Sequence, residues 1–429
     1  MMPRRRFRSV SGTRTPFDRA AMLSYNPPRR AAPVARRARG GDVHPTLFTL
    51  VLPATVNVTS PQHNPGQQAA TLAALWSIDG LGSAALGALY DAFYHDLTKV
   101  WDADLDTLRR VLHDAKIPGE QAVAGRIKYA RAEAEERGAK AMEEWGRRGI
   151  RLLVESDPQF PPQLRGLAGC PAWVFVQGAV ELLHRTAAVG IVGTRDPSPQ
   201  GVRATKELTQ HLCALGFVVV SGLAEGIDTA AHRATLAAGG ATVAVLGNGI
   251  NIDFPASNRE LRQHIVNAGG AVVTEYFPPQ TYSRQTFVQR NRIIAGLSSA
   301  LFPVESRAAS GTAHTVRFAQ EYGRPVFAVD SSAAPIQHNE IWAVLTRRGA
   351  PCVDVGQAAA RETLAALLAP FAADARPADP EAVLVTRYAS VLKAFRDTLT
   401  LHAPDDQALE WLTAQIRRLA QDARPSDGS

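Results

Sequence analysis

The sequence predicts an α/β protein with an extended Rossmann-like parallel sheet, covered on both faces by helices. Continuous apolar runs recur every 25–29 residues, and they begin near Ala188, Phe217, Thr242, Ala271, Ala300 and Pro325. Segments of helical length lie between these runs, at 199–215, 226–239, 256–268, 287–298 and 311–322. Apolar strands without polar alternation are typical of a sheet buried on both sides, and their regular alternation with helices favours parallel pairing.

Upstream of the sheet, residues 67–147 have a helical pattern with a Gly-x-Gly turn at Gly80–Gly82. This spacing is typical of a helix-hairpin-helix or SAM-like module, whose turn directs backbone N–H groups at a phosphate. We expect helices at 105–112 and 120–146, then strands at 150–154 and 171–178.

Four segments are therefore expected along the chain. They are an Arg-rich disordered tail (1–45), the helical domain (67–147), the Rossmann-like core (148–355) and a short helical C-terminal region (356–429). The last segment includes helices near 381–399 and 406–422. The first 40 residues could be a DNA-attracting arm, a targeting peptide, a solvated tail without a role, or the product of an upstream start before Met22.

Charge and cysteine usage narrow the classes of function. The first 40 residues hold eleven arginines and one acid, a net +10, so the other 389 residues carry 36 basic and 39 acidic groups, a net −3. Any nucleic-acid site in the body must therefore concentrate a few arginines locally. The three cysteines are far apart in the sequence, which favours a protein of the reducing cytosol over one with a disulfide framework or a zinc cluster. No apolar run is long enough to cross a membrane.

Polar and glycine-rich loops follow the predicted strands. In a parallel sheet these loops meet at one edge, beside helix N-termini that attract anions. Arginines flank them on two segments, so the loops together predict a polyanion pocket. The candidate residues for binding nucleic acid are Gly193, Arg195, Ser198, Ser221, Gly222, Arg290, Asn291, Arg292, Ser310, Gly311 and Thr312.

No catalytic set is predicted. Asp228 and His232, four residues apart on one helical face, could form an acid–base pair, but we favour a loop-structuring role for both, and likewise for Glu305. There is no Walker lysine motif, no G-x-G-x-x-G after the first strand and no cluster with metal-ligand spacing. We therefore expect neither a cofactor nor a metal, and no enzymatic activity.

Several motifs, in order, resemble the DNA-processing protein A (DprA/Smf) family over roughly residues 67–330. They read SGLAEGIDTAAH (221–232), TVAVLGNGINIDFPASN (242–258), TEYFP (274–278), FVQRNRIIAGLS (287–298) and SGTAHTVRFAQEYGRPVFAV (310–329). The resemblance implies a cytoplasmic protein that binds and protects single-stranded DNA and helps to load a RecA-type recombinase in natural transformation or recombination. It also implies a homodimer, and it assigns the candidate residues above, except Arg290, to the DNA groove.

The chain departs from the family at Glu225, where members usually carry a basic residue, at Gly193-Thr194-Arg195 in place of GSR, and at Asp330-Ser331 in place of Pro-Gly. No C-terminal winged helix is evident. A divergent member serving defence or a mobile element is therefore a possibility. Two other functions stay open: a nucleotide-binding sensor or nucleotide-processing enzyme of the LOG type, and an interaction scaffold with a vestigial pocket.

Overall fold

The structure is a computed structural model, and it describes residues 64–337 and 339–375. The predicted tail at 1–45 and the predicted helices beyond residue 375 lie outside these residues. The described N-terminal part is helical, as expected, with α1 (Pro65–Trp76), α2 (Ser83–Ala92), α3 (Leu105–Asp114), α4 (Glu120–Tyr129) and α5 (Arg131–Arg147). The single helix expected over 120–146 is thus two helices, which separate at Ala130.

A seven-stranded sheet forms the centre of the fold, with strand order β1-β2-β6-β5-β4-β3-β7. The strands are β1 (Ile150–Val154), β2 (Trp173–Gly178), β3 (Ala188–Val192), β4 (Val218–Ser221), β5 (Thr242–Val245), β6 (Ala271–Thr274) and β7 (Ala300–Pro303). The five strands from β3 to β7 pair in parallel, which confirms the predicted fold class. The first two strands extend this sheet in antiparallel pairing, so the complete sheet is mixed.

Helices connect the parallel strands and cover both faces of the sheet. They are α6 (Pro199–Ala214), α7 (Ile227–Ala237), α8 (Arg259–Asn267), α9 (Arg284–Leu297) and α10 (Gly311–Glu321). Every residue of the five parallel strands is buried, which explains the absence of polar alternation in the sequence. Because these strands are parallel, the loops that leave β3, β4 and β5 emerge at the same edge of the sheet.

The sixth predicted strand does not continue the main sheet. Strand β8 (Ala328–Asp330) pairs in parallel with β9 (Cys352–Asp354) in a separate two-stranded sheet. A single bridge, Leu301 to Val326, joins this pair to β7. Pro303 and Pro325 lack the N–H group that a continuous ladder needs, so the hydrogen bonding stops after one bridge. Helices α11 (Glu340–Arg347) and α12 (Ala360–Leu368) complete the described chain.

An aromatic cluster joins the helical part to the sheet. The Phe277 ring, in the loop after β6, stacks on Trp76 of α1 with 5.3 Å between centroids and meets the edge of Phe175 at 4.9 Å. Trp145 of α5 contacts the same Phe175 edge-on at 5.1 Å. Burial of several large rings fixes this loop against the helical part and the sheet, and the chain continues from it to Tyr282. None of the helices in the described residues is long and apolar enough to span a bilayer.

Candidate functional site

A cleft lies over the carboxyl ends of β3, β4 and β5. It is lined by Arg195, Gly222, Leu223, Ala224, Glu225, Leu246, Gly247, Asn248, Phe254, Pro255 and Phe287. Arg195 is the single cation and Glu225 the single acid among these lining residues. Of the residues predicted from the sequence, the cleft brings together only Arg195 and Gly222.

Arg195 is the exposed cation of this cleft. Its guanidinium carbon lies 5.1 Å from the centroid of the Phe287 ring, and no carboxylate within the described ranges pairs with it. The backbone beneath it is fixed, because Ile227 N donates to Thr194 O (3.1 Å) and Gly226 contacts the Thr194–Arg195 peptide so closely that a Cβ would collide with it. Gly226 also has a φ of +82°, which favours glycine. Arg195 is thus an exposed side chain held over an aromatic face.

Three aromatic rings form a continuous surface beside Arg195, and we call it the aromatic platform: Phe254, Tyr282 and Phe287. The ring centroids of Phe254 and Tyr282 are 3.7 Å apart, and Phe287 lies 5.3 Å from Phe254 and 5.8 Å from Tyr282. Tyr282 is 47% exposed, an unusual position for a large ring in a folded chain. The platform therefore offers a partly wet apolar surface next to a positive charge.

Arg262 braces the loop that carries Phe254. Its Nη1 donates to Asp253 Oδ1 (3.0 Å) and to Ile252 O (3.2 Å), and its Nη2 donates to Gln177 Oε1 (3.1 Å). A backbone bond from Gly249 N to Gln280 O (2.8 Å) ties this loop to the one bearing Tyr282. The loop that carries Phe254 is thus braced by Arg262, and one backbone hydrogen bond joins it to the loop that carries Tyr282.

Arg290 lies inside the protein, away from solvent. Its Nη1 donates to Gly222 O at 2.6 Å and also to Val245 O, and the buried Asp228 is its opposite charge. Burial lowers the pKa of Arg290 to about 10, although Asp228 opposes that effect. The Arg290 guanidinium packs where a Cβ on residue 222 would lie. Glycine at this position therefore makes room for an internal contact. The expected phosphate contact from Arg290 would require these internal bonds to break.

Arg292 is also engaged internally. Its Nη1 and Nη2 donate to the two carboxylate oxygens of Glu275 at 2.6 and 2.5 Å, and its Nε donates to Gly169 O at 2.7 Å. Burial lowers the pKa of Arg292, but the facing Glu275 carboxylate outweighs it and the net pKa is raised. This bidentate pair connects α9 to the end of β6 and leaves little free donor capacity for a ligand.

The loop after β3 is organised by Glu305. Ser198 donates from its backbone N (3.1 Å) and its Oγ (2.9 Å) to Glu305 Oε2, and its Oγ accepts from Gly201 N (3.0 Å) to cap α6. Ser221 Oγ donates to Ile191 O (2.6 Å) and is fully buried. The missing Cβ of Gly193 makes room for Ile227. These polar groups support the loops, and the bonds that they make are internal.

The start of α10 lies outside the lining of the cleft. Asn291 Nδ2 donates to Gly311 O at 3.1 Å, and the hydroxyls of Ser306 and Ser310 are 2.6 Å apart. Thr312 is buried, while Gly311 is exposed. No side chain caps this helix, so its first N–H groups have no side-chain acceptor.

Asp228 and His232 do not face each other as an acid–base pair. Asp228 Oδ2 accepts from Gly222 N (3.1 Å) and Ala224 N (3.4 Å), and burial raises its pKa while Arg290 opposes the rise. Thr242 Oγ1 donates its one proton to Val219 O (2.7 Å), so it accepts from His232 Nδ1–H (2.7 Å). His232 Nε2 is then the unprotonated nitrogen, buried and without a partner among the described residues.

A pH dependence of stability follows from His232. Burial lowers the pKa of His232 to about 3, with Arg290 adding to the effect, whereas an unfolded histidine titrates near pH ~6.5. The unfolded chain therefore binds more protons below pH ~6.5, and this group's contribution to stability is lost as the pH falls from that value towards ~3. The variant His232→Asn keeps a donor for Thr242 but has no group that titrates in this range. As the pH falls from ~6.5 to ~5, we expect its free energy of unfolding to decrease by about 1.5 kcal/mol less than that of the wild type.

Urea titrations of both proteins at several pH values measure this difference. Parallel slopes of unfolding free energy against pH would contradict the assignment of His232 as a neutral buried group. His314, whose pKa is also lowered by partial burial and by nearby arginines, offers a more exposed comparison.

Three site residues were missed by the sequence analysis: Asn248, Phe254 and Tyr282. Phe287 was noted only as part of the segment that leads to Arg290. An aromatic residue in a loop that follows a parallel strand is the signal that could have found the platform, because such loops converge at the ligand edge of the sheet. Nothing in the sequence alone indicates that Phe254 and Tyr282, 28 positions apart, make ring contact.

The part of the chain that contains the sheet is similar to known proteins. Residues 151–360 match the family model of DNA recombination-mediator protein A. Two curated relatives are the Smf protein of Synechocystis sp., 38% identical over 196 residues, and the DNA processing protein DprA of Bacillus subtilis, 38% identical over 185 residues. The alignments cover 44% and 43% of this chain and 48% and 62% of the relatives, so the chain matches about half the length of these proteins.

A solved structure has the same fold. The X-ray structure of DNA processing protein A from Streptococcus pneumoniae aligns with a TM-score of 0.53 and 29% sequence identity. The alignment covers 67% of this chain and 94% of that one. Because it covers more of this chain than the family model does, the shared architecture extends beyond residues 151–360.

Proposed function

Because residues 151–360 belong to the DprA/Smf family, we propose that this protein binds single-stranded DNA in the cleft over β3, β4 and β5. The observation that carries the proposal is the exposed Arg195 guanidinium held against the aromatic platform. Proteins that bind single strands without sequence preference combine a cation for the backbone with rings on which bases stack. The cleft contains both components within one surface.

The geometry favours a single strand over a duplex. Stacking on Tyr282 requires a base with a free face, and bases inside a double helix present only their edges. Arg195 can contact a phosphate with its planar fork while its face remains on Phe287. Ser310, Gly311 and Thr312, with the uncapped first turn of α10, supply a second place for a phosphate in the proposal.

In this proposal Arg290 and Arg292 act as supports of the site. Both side chains hold loops and strand ends that carry cleft residues, and both donate to internal acceptors. The positive charge for the first phosphate therefore comes from Arg195, which explains how a body of net charge −3 could still bind DNA locally.

The wider role is proposed from the family. The protein would protect single strands and deliver them to a RecA-type recombinase during recombination or natural transformation, acting as a homodimer and without catalysing a reaction. The contacts of Asp228 and His232 support a non-catalytic role, because both side chains are directed to internal partners. Light scattering of the protein with and without DNA would measure the oligomeric state.

Fluorescence anisotropy with a labelled oligo-dT of about twelve nucleotides tests the proposal directly. We expect tight binding at low salt that weakens as salt rises, and a clear preference over a duplex of the same length. Equal affinity for duplex and single strand, or no binding at low salt, would refute the proposed function.

Tyr282→Ala tests the aromatic platform. The ring is half exposed, so its removal should leave folding intact while costing about 1–3 kcal/mol of binding, or roughly tenfold to hundredfold in affinity. Tyr129, 83% exposed and far from the cleft lining, provides the matched control Tyr129→Ala, for which we expect no change. Equal affinities of the two variants for oligo-dT would argue against base stacking on Tyr282.

A further inference from the structure

Asn248 lies in the lining of the cleft and carries a buried acceptor without a partner among the described residues. Its side-chain nitrogen Nδ2 donates to Gly249 O (3.0 Å) and to Ile252 O (2.9 Å). These two carbonyl partners fix the orientation of the amide, because a flipped amide would set oxygen against oxygen. The other atom, Oδ1, is buried and has no hydrogen-bond partner within the described residues, although Asn248 is only 1% exposed and lines the cleft.

A buried acceptor without a partner is destabilising, because the atom has lost its hydrogen bonds to water without gaining new ones. In the lining of a cleft, such an atom can be satisfied by a ligand that supplies a donor. Phosphate oxygens at neutral pH cannot supply one, because they only accept hydrogen bonds. The Oδ1 atom of Asn248 is therefore suited to a nucleobase N–H group and not to the DNA backbone.

Glu225 is a second acceptor in the same lining. Ser257 Oγ donates to Glu225 Oε1 at 2.8 Å, which orients the carboxylate and leaves Oε2 available. A carboxylate repels phosphate, so an acid at this position is unfavourable if the cleft holds only backbone there. The same carboxylate attracts N–H groups strongly, since a charged acceptor makes the stronger class of hydrogen bond.

We infer that Asn248 and Glu225 form a base-reading subsite that prefers guanine within single-stranded DNA, and this inference rests on the proposed function. Guanine presents two adjacent donors, N1–H and the N2 amino group, on its Watson–Crick edge. Adenine and cytosine present one amino donor beside an acceptor, and thymine presents one N–H between two acceptors. Two acceptors in one cleft match the guanine edge best.

The aromatic platform supplies the other half of this subsite. Phe254 and Phe287 line the same cleft as Asn248 and Glu225, so a base stacked on them has its edge near the two acceptors. Arg195, on the Phe287 face, is available to the phosphate of the same nucleotide. Stacking would provide sequence-tolerant affinity, and the two acceptors would add a preference for guanine at one position.

Oligonucleotides that differ at one base test the inference on the full chain. The probe is an oligo-dT of about twelve nucleotides in which one central thymidine is replaced by deoxyguanosine, deoxyinosine, deoxyadenosine or deoxycytidine. We expect the guanine oligonucleotide to bind about tenfold more tightly than oligo-dT, as for a good bidentate base contact. Inosine, which keeps N1–H but lacks the N2 amino group, should lie between them.

The variant Glu225→Gln supplies the structural control. Glutamine keeps the size of the side chain and one acceptor but loses the charge, so we expect the preference for guanine to fall to about threefold or less. Ser257→Ala, which removes only the hydroxyl that orients the carboxylate, should weaken the preference by a smaller factor.

The outcomes separate the two proposals. If the wild type binds oligo-dT but shows no preference among the five bases, the guanine subsite is refuted and the single-strand proposal stands. If no oligonucleotide binds, the proposed function itself fails. Competition with free dGMP shows whether the base belongs to a strand or to a free nucleotide. The inference is overturned if dGMP displaces oligo-dT at micromolar concentration while guanine in the strand does not increase affinity. That result would assign the subsite to a free nucleotide.

Discussion

Replacing Arg290 with alanine lowers the free energy of unfolding by about 3–5 kcal/mol, because a buried cation that donates to two internal carbonyl groups and electrostatically favours the charged form of Asp228 is lost. Asp228 would remain in the interior without the opposite charge that faces it. The carbonyl oxygens of Gly222 and Val245 would each lose a charged donor as well. The loop after β4, which lines the cleft, would lose its support from α9 at the same time.

Urea denaturation followed by circular dichroism measures this change. Arg284→Ala is the matched control, since Arg284 is an exposed arginine in the first turn of the same helix, and we expect it to change stability by less than about 0.5 kcal/mol. If Arg290→Ala unfolds at the wild-type urea concentration but binds DNA weakly, Arg290 is a ligand contact and its internal role is wrong.

Arg195→Ala weakens binding of oligo-dT by about tenfold to hundredfold at low salt. A hydrogen bond to a charged group contributes about 1.5–3 kcal/mol, and the cation–π contact with Phe287 holds the guanidinium ready to make it. The dependence on salt should also decrease, by about 0.7 in the slope of log affinity against log salt concentration, because one phosphate contact is lost.

Anisotropy titrations over a range of salt concentrations measure both the affinity for oligo-dT and its dependence on salt. The control is Arg233→Ala, because Arg233 is exposed on α7 and does not line the cleft. Its binding and its salt slope should match the wild type. An unchanged salt slope for Arg195→Ala would show that Arg195 does not contact the DNA backbone, whatever happens to the affinity.

The two variants separate arginines that look alike in the sequence. Arg195 follows the first predicted strand of the parallel sheet, whereas Arg290 and Arg292 lie in the predicted helix before the fifth, and all three were expected to bind nucleic acid. In the fold, Arg195 follows β3 and extends to solvent, whereas the other two lie on α9 and are directed into the protein. The direction of a helical side chain depends on how the helix is rotated against the sheet, which is a tertiary property.

The order of strands and helices could be predicted from the sequence because it depends on local patterns. Strands β3 to β7 are continuous apolar runs, and the helices between them have lengths and caps that are visible in the sequence, such as Ser198 and Ser283 at the starts of α6 and α9. The separate pairing of β8 with β9 could not be predicted, since strands 24 residues apart choose partners by packing.

By itself, the sequence determined the α/β class, the positions of the loops at the ligand edge and the scarcity of positive charge in the body, because periodicity and composition are properties of the chain. The tertiary structure decided which polar groups remain free for a ligand. It satisfied Ser198, Ser221 and Arg292 internally, and it engaged Nη1 of Arg290 with two internal carbonyl groups. Within the described residues it left Arg195 and the Oδ1 atom of Asn248 unpaired, and it brought Phe254, Tyr282 and Phe287 together. A group is free only when no neighbour in space satisfies it, and those neighbours come from distant parts of the chain.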